Sequence, residues 1–261
     1  MKTRSGWRLR ALGALAVAAG LAAAVPAEAD DWNIVGLRLG MSVEETKAAL
    51  KAYDPAITLD EHWQYFAYSD GVNHGLRTED FIAYMDAYRQ VISDNQWGSE
   101  GISLFFSSPP GEARLVAIDR RLDNTPNPLT SQQFREALVA KYGTPASDDG
   151  QAMRWLFPEG KVDCVINSGA YSPTQTDFLN HVFQGGVAGR MNNPQAKDLS
   201  DCAAYLIYRV STGTYPASNV SALMIDVAAK ATSELAANNW VNGLAEAARK
   251  ARESGAEAPK L

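Results

Sequence analysis

The feature that most constrains the fold of this chain is a helix start that occurs twice. Ser42 is followed three positions later by Glu45, and Thr130 is followed at the same spacing by Gln133. Each pair predicts a capping box, in which two side chains satisfy backbone N–H groups that the first helical turn leaves unpaired. Each predicted helix is also followed by a residue that favours its end, which is Pro55 for the first and Gly143 for the second.

A run of β-prone segments follows each predicted helix. The candidate strands are 62–68, 81–88, 102–107 and 114–121 after the first helix, and 153–157, 162–167, 203–210 and 220–227 after the second. An amphipathic helix is predicted from Ala228 to about Arg252. Short turns between successive strands favour antiparallel pairing. The pattern therefore predicts an α+β fold of two tandem units, each a helix with a four-stranded antiparallel sheet, closed by a C-terminal helix.

The two predicted units span 30–126 and 127–252, and a polar tail, 253–261, follows them. Residues 168–201 are rich in Gly, Asn and Pro, so we interpret them as a long loop, with 178–183 as an additional short strand. Cys164 and Cys202 flank this region and are the two cysteines of the chain. An even cysteine count in an exported chain predicts a disulfide, which would close the loop.

The first 29 residues have the three parts of a secretory signal peptide. Four Lys and Arg residues precede an apolar stretch of about 15 residues, and Ala27-Glu28-Ala29 supplies a small-x-small cleavage site. The alternative is an N-terminal membrane anchor. A helix needs about 20 apolar residues to cross a bilayer, which is more than this stretch contains. We therefore predict cleavage after Ala29 and a periplasmic or secreted protein.

The formal charge of the chain limits which partners we expect, and the spacing of its histidines bears on whether we expect a metal. Removal of the first 29 residues leaves 20 Lys and Arg against 29 Asp and Glu, a formal charge of −9. Such a chain is a poor ligand for nucleic acid, whose phosphates attract basic surfaces, and we expect no stable membrane insertion. His62, His74 and His181 lack the spacing of metal ligands, so no metal and no cofactor is predicted.

Two short motifs resemble known exported families. The stretch Gly36-Leu-Arg-Leu-Gly-Met-Ser-x-x-Glu45, followed by a short helix and a Pro, resembles the start of small envelope proteins of the BamE type. The tandem pattern also resembles the β-lactamase inhibitory proteins, whose two units each pair helices with a four-stranded sheet. The helix exit Lys141-Tyr-Gly-Thr-Pro145 is similar to exits in exported bacterial proteins with such repeats. The resemblance implies a tandem-repeat fold, and no binding residue is carried over from either family.

The first unit is rich in aromatic residues, and these are the candidate binding residues. Tyr and Trp are enriched at protein interfaces. The candidates are Trp63, Tyr65, Tyr84, Tyr88 and Trp97. The chain has no nucleophile-elbow, HExxH, Walker or dinucleotide-binding motif. We therefore predict a non-catalytic protein-binding module, whose partner is another envelope or secreted protein.

Two alternatives stay open on the sequence. A periplasmic hydrolase would use Asp60, His62 or His74 for acid–base chemistry, which requires these side chains to converge in one cleft. A small-ligand-binding protein would have an apolar pocket between the two units.

Overall fold

The computed structural model describes residues 32–93, 96–165, 178–187, 189–210 and 213–255. The predicted signal peptide therefore lies outside the described residues, as do the end of the polar tail, residues 166–167 of a predicted strand and residues 168–177 of the predicted loop. None of the helices within the described ranges is long and apolar enough to cross a membrane.

Both predicted capping boxes are present. Helix α1 spans Val43–Tyr53, and the Glu45 N–H donates to Ser42 Oγ at 3.2 Å while the Ser42 N–H donates to Glu45 Oε2 at 2.7 Å. Helix α2 spans Ser131–Tyr142 and begins with the equivalent pair of bonds between Thr130 and Gln133.

Eight strands form one antiparallel sheet. They are β1 (Thr58–Gln64), β4 (Phe81–Ser93), β5 (Gln96–Phe106), β6 (Leu115–Asp123), β7 (Ser147–Asp148), β8 (Ala152–Phe157), β9 (Ala204–Arg209) and β10 (Val220–Ile225). Their order across the sheet is β1-β4-β5-β6-β10-β9-β8-β7. Strands β2 (Ala67–Tyr68) and β3 (Leu76–Arg77) form a separate hairpin between β1 and β4.

The prediction of two tandem four-stranded units is wrong, because β6 pairs with β10 and joins both sets of strands into one sheet. The register runs from Val220 opposite Leu122 to Ile225 opposite Ala117. Two separate sheets would each have left a row of unpaired backbone groups along a buried, apolar edge strand. Pairing the two edges satisfies these groups. We call β1, β4, β5 and β6 the N-terminal half of the sheet, and β7 to β10 the C-terminal half.

Two strand predictions in the second half are also corrected. Val162 makes only an isolated bridge with Cys202, and the fourth strand is instead the short edge strand β7. Residues Phe178–Val182 form a helix, α3, rather than a strand. The buried residues Phe178, Leu179 and Val182 follow a helical spacing and not the alternation of a strand.

One hydrophobic core lies between the sheet and helices α1 and α2. Leu50 of α1 and Leu138 of α2 pack there against strand residues that include Met85, Leu104 and Leu206. We call this side of the sheet the helix face.

A second core covers part of the opposite side of the sheet. Helix α3 and the first turns of helix α4 (Val227–Ser254) pack there against Tyr205, Ile207 and Leu223. The predicted disulfide is confirmed, since Cys164 and Cys202 are bonded within this core with their Cα atoms 5.4 Å apart. The second core lies chiefly over the C-terminal half of the sheet.

Candidate protein-binding face

Strand pairing places three of the five candidate aromatic residues on the side of the sheet opposite the helix face. Tyr84 and Tyr88 are four positions apart on β4, so their side chains point to the same side. Trp97 lies on β5 directly opposite Ile92, which is four positions beyond Tyr88. The end of this side at Phe105 and Ala117 is buried in the second core, and we call the remaining surface of β1, β4, β5 and β6 the open face.

Three neighbouring large side chains on the open face are exposed. Trp97 is 64% exposed, Ile92 is 55% exposed and Tyr88 is 47% exposed. Cross-strand neighbours on one face lie within about 5 Å of each other at Cβ, so Ile92 and Trp97 form one apolar surface. Tyr88 lies on the same face further along β4, with the exposed Gln90 between it and Ile92. We call these three residues the aromatic stripe.

A glycine creates a notch beside the aromatic stripe. Gly101 lies on the open face with Tyr88 opposite it on β4 and Arg121 opposite it on β6. A Cβ atom added at Gly101 would meet no atom within 4 Å, so the space above its backbone is open. The Arg121 side chain is 68% exposed and bonds Asp119 at 3.3 Å. Tyr88 and Arg121 therefore flank the Gly101 notch, and the backbone of Gly101 forms its base.

Tyr84 supports this face from within and contributes little exposed surface. Its ring stacks on His62, with the ring centroids 4.1 Å apart, and lies 5.8 Å from the ring of Phe105. The three rings bridge the neighbouring strands β1, β4 and β5.

Trp63 and Tyr65 are exposed but lie elsewhere. Trp63 pairs with Ile82, which belongs to the core under α1 and α2, so Trp63 projects on the helix face at the sheet edge. Tyr65 follows the end of β1, and the Arg77 guanidinium lies 4.7 Å from its ring centroid. Four of the five candidates are thus exposed, and of these Tyr88 and Trp97 project from the open face.

Carboxylates occupy the next row of the open face. Asp60 on β1 lies opposite Asp86 on β4, which in turn lies opposite Ser103 on β5. The Ser103 hydroxyl donates to Asp86 Oδ1 at 2.6 Å. His62 Nε2 is 3.1 Å from Asp86 Oδ2, but within the described residues this buried atom has no hydrogen-bond partner. The two atoms are therefore in close contact, but the contact lacks the geometry of a hydrogen bond.

This row does not have the geometry of a nucleophilic triad. In a Ser–His–Asp triad the imidazole lies between the other two groups and accepts the serine proton. Here Asp86 lies between Ser103 and His62, so the imidazole does not reach the hydroxyl. His74 lies in the exposed turn between β2 and β3, away from the sheet surface that carries His62. Of the three residues of the hydrolase alternative, Asp60 and His62 are therefore brought together, with Asp60 Oδ2 3.5 Å from His62 Nε2, whereas His74 does not join them. Across the described ranges, no cluster of three or more His, Cys, Asp or Glu residues could hold a metal ion.

A buried ion network lies directly behind the Gly101 notch, and the sequence analysis missed it. Glu100 is fully buried on the helix face. It accepts hydrogen bonds from Arg89 Nε at 2.6 Å, Arg120 Nε at 2.6 Å and the Tyr53 hydroxyl at 2.8 Å. These groups connect β4, β5, β6 and the end of α1 through one carboxylate.

The network keeps its central carboxylate ionised. Burial by itself would raise the pKa of Glu100, but the charges and hydrogen bonds of Arg120 and Arg89 hold that pKa below its ordinary value. Arg89, Glu100 and Arg120 are the sequence neighbours of the three residues that form the notch. Because successive strand residues point to opposite faces, the network fixes the backbone behind the notch. A charged residue at an inward position of each of three strands is the sequence signal that identifies it.

Comparison of the chain with protein-family models, with curated proteins and with solved structures finds no match.

Proposed function

We propose that this protein is a non-catalytic, extracytoplasmic protein-binding module and that the open face around the Gly101 notch is its contact surface. The observation that carries the proposal is the exposure of Tyr88 and Arg121 on either side of a notch on a regular sheet, with the exposed Trp97 four positions from Gly101 along β5. Trp, Tyr and Arg are the residue types most enriched at the energetic centres of protein interfaces.

The way in which the fold holds these side chains in place supports the same function. An interface gains affinity when its side chains are already held in place, because less conformational entropy is lost on binding. The three side chains project from paired strands, and the Glu100 network connects those strands on the helix face of the sheet.

The charge of the face indicates the chemistry of the partner. Asp60 and Asp86 lie next to the aromatic stripe, and their side chains are 79% and 44% exposed. The whole chain has a formal charge of −6. We therefore expect a folded envelope or secreted protein that inserts one side chain into the Gly101 notch and presents basic residues to the two carboxylates. Periplasmic or secreted localisation, after cleavage behind Ala29, belongs to this proposal, and the disulfide supports it.

Filling the notch tests the proposal without removing any contact of the fold. A valine at position 101 meets no atom within 4 Å at its Cβ and suits a strand, so Gly101→Val is expected to keep the thermal unfolding midpoint or raise it slightly. In-cell cross-linking of the tagged protein followed by mass spectrometry is expected to recover a partner with the wild type and to lose it with this variant.

Trp63→Ser is the matched control, because Trp63 is 58% exposed but lies on the other side of the sheet. This variant is expected to recover the partner normally. Loss of the partner with Trp63→Ser but not with Gly101→Val would place the contact elsewhere, and failure of the wild type to recover any partner would contradict the proposal.

A further inference from the structure

A groove of about 610 Å³ lies in the C-terminal half, between α2 and the short edge strand β7. Glu136, Val139 and Ala140 line it from α2, while Asp148 and Met153 line it from β7 and β8. The volume is within the range of small-molecule sites. The groove is separate from the open face, which lies in the other half of the sheet.

The walls of the groove are apolar and only partly covered. Helix α2 buries Leu138 and Tyr142 against the sheet, so Val139 and Ala140 form part of a second stripe that the sheet does not cover. Val139 is 39% exposed, whereas Met153 across the groove is 2% exposed. A concave surface with an exposed Val opposite a buried Met is typical of a site for an apolar group.

The accessible charge of the groove is negative. The Arg135 side chain is nine-tenths buried, and it donates to the Val210 carbonyl at 2.8 Å and to Asp148 Oδ1. Glu136 is exposed on the helix side, and the Asp148 side chain is 39% exposed on the strand side. The hydrogen bond from Arg135 lowers the pKa of Asp148, so this carboxylate stays ionised at neutral pH. The buried Arg135 thus pairs with Asp148, and Glu136, which accepts a hydrogen bond from Gln132 Nε2 at 2.9 Å, adds a second carboxylate at the surface.

We propose that this groove binds a small organic cation with an apolar body. The protonated amine would lie near Glu136 and Asp148, and the body would cover the exposed Val139 and Ala140. Opposite charge selects the amine, and removal of apolar surface from water supplies most of the affinity.

Two probes with the same ring and opposite charge test the proposal. Tryptamine and indole-3-propionate are titrated separately into the full-length protein, and binding is followed by backbone amide shifts in NMR spectra. We expect tryptamine to shift amides of α2 and of residues 148–153, with an affinity about tenfold higher than that of the acid. Equal affinity for both probes, shifts outside the groove, or no binding at ~10 mM of either probe would overturn the proposal.

Two variants separate the contributions of shape and charge. Ala140→Trp, at an exposed helix position, fills the groove and is expected to abolish tryptamine shifts while circular dichroism stays unchanged. Glu136→Gln is expected to reduce the preference for the cation by about threefold to tenfold. Glu44→Gln on α1 removes an equally exposed charge and is expected to change neither result. Unchanged tryptamine binding in Ala140→Trp would contradict the assignment of the groove.

Discussion

The two halves of the sheet have the same order of elements, a helix followed by four strands, but they differ in what covers them. In the C-terminal half, α2 covers one side, and α3 with the start of α4 covers the other. In the N-terminal half, α1 covers one side and the aromatic stripe of β4 and β5 is left exposed on the other.

The connections between strands explain this difference. In the C-terminal half, β8 ends at Phe157 and β9 begins at Ala204, and the residues described between them include α3 and a 3-10 helix at Leu199–Asp201. In the N-terminal half, β4 ends at Ser93 and β5 begins at Gln96. A long connection can fold back over its own strands, whereas a connection of two residues is too short to cover them. Surfaces for binding often arise in this way, from loop length on a common scaffold.

The halves also differ in how they are held together, and the largest expected effect follows from this. Glu100→Ala in the N-terminal half removes the carboxylate that pairs with the largely buried Arg120, and it leaves Arg89 paired with Asp54 alone. We expect a loss of about 3–5 kcal/mol in the free energy of unfolding, measured by chemical denaturation. Glu112→Ala, at an exposed position, is expected to change this free energy by less than about 0.5 kcal/mol. Equal effects of the two variants would show that the network does not stabilise the N-terminal half.

A somewhat smaller effect is expected in the C-terminal half from loss of the disulfide. Replacement of Cys164 and Cys202 by Ala should lower the free energy of unfolding by about 2–4 kcal/mol, because the bond restricts the unfolded chain. Hydrogen exchange is expected to accelerate in α3 and β9 and to stay slow in β4 and β5. Uniform acceleration across both halves would mean that the bond stabilises the sheet as a whole.

The third effect concerns binding and not folding. Trp97→Ser and Tyr88→Ser are each expected to weaken the partner complex by about 30-fold, as truncation at an interface centre does. Tyr215→Ser is the control, since Tyr215 is 77% exposed in the C-terminal half. Affinities are measured by surface plasmon resonance with the partner that cross-linking recovers. A larger loss with Tyr215→Ser would transfer the binding role to the C-terminal half.

The smallest effect is expected from acid. The pKa of Glu100 is lower in the folded chain than its ordinary value of 4.5, so its contribution to stability is complete above that value and is lost as the pH falls through the folded pKa. Mild acid therefore removes only part of the contribution. Unfolding free energies measured from pH 6 downwards should fall more steeply for the wild type than for Glu100→Gln. Parallel curves would assign the acid sensitivity to other carboxylates.

Local signals in the sequence predicted the local structure well. The capping boxes at Ser42 and Thr130 place both helices, and the turn after Phe106 correctly separates β5 from β6. The cysteine count correctly predicts the disulfide. Each of these features depends on residues close in the chain or on residue type alone.

The features that the sequence left undetermined depend on distant partners. The pairing of β6 with β10 needs the register of two strands far apart in the chain, and no pattern within either strand reveals it. The Gly101 notch exists only because Tyr88 and Arg121 lie on either side of it. The division of the aromatic residues between two faces depends on a shift of register between His62 and Trp63.

The pairing of β6 with β10 also has a consequence for how the chain reaches its native state. The paired residues are about a hundred positions apart, so the central contact of the sheet closes late and at a high entropic cost. A chain synthesised from its N-terminus can form the β4–β5 hairpin early. It must then keep the apolar edge of β6 from other chains until β10 arrives. Folding should therefore depend more on holding chaperones than the size of the protein suggests.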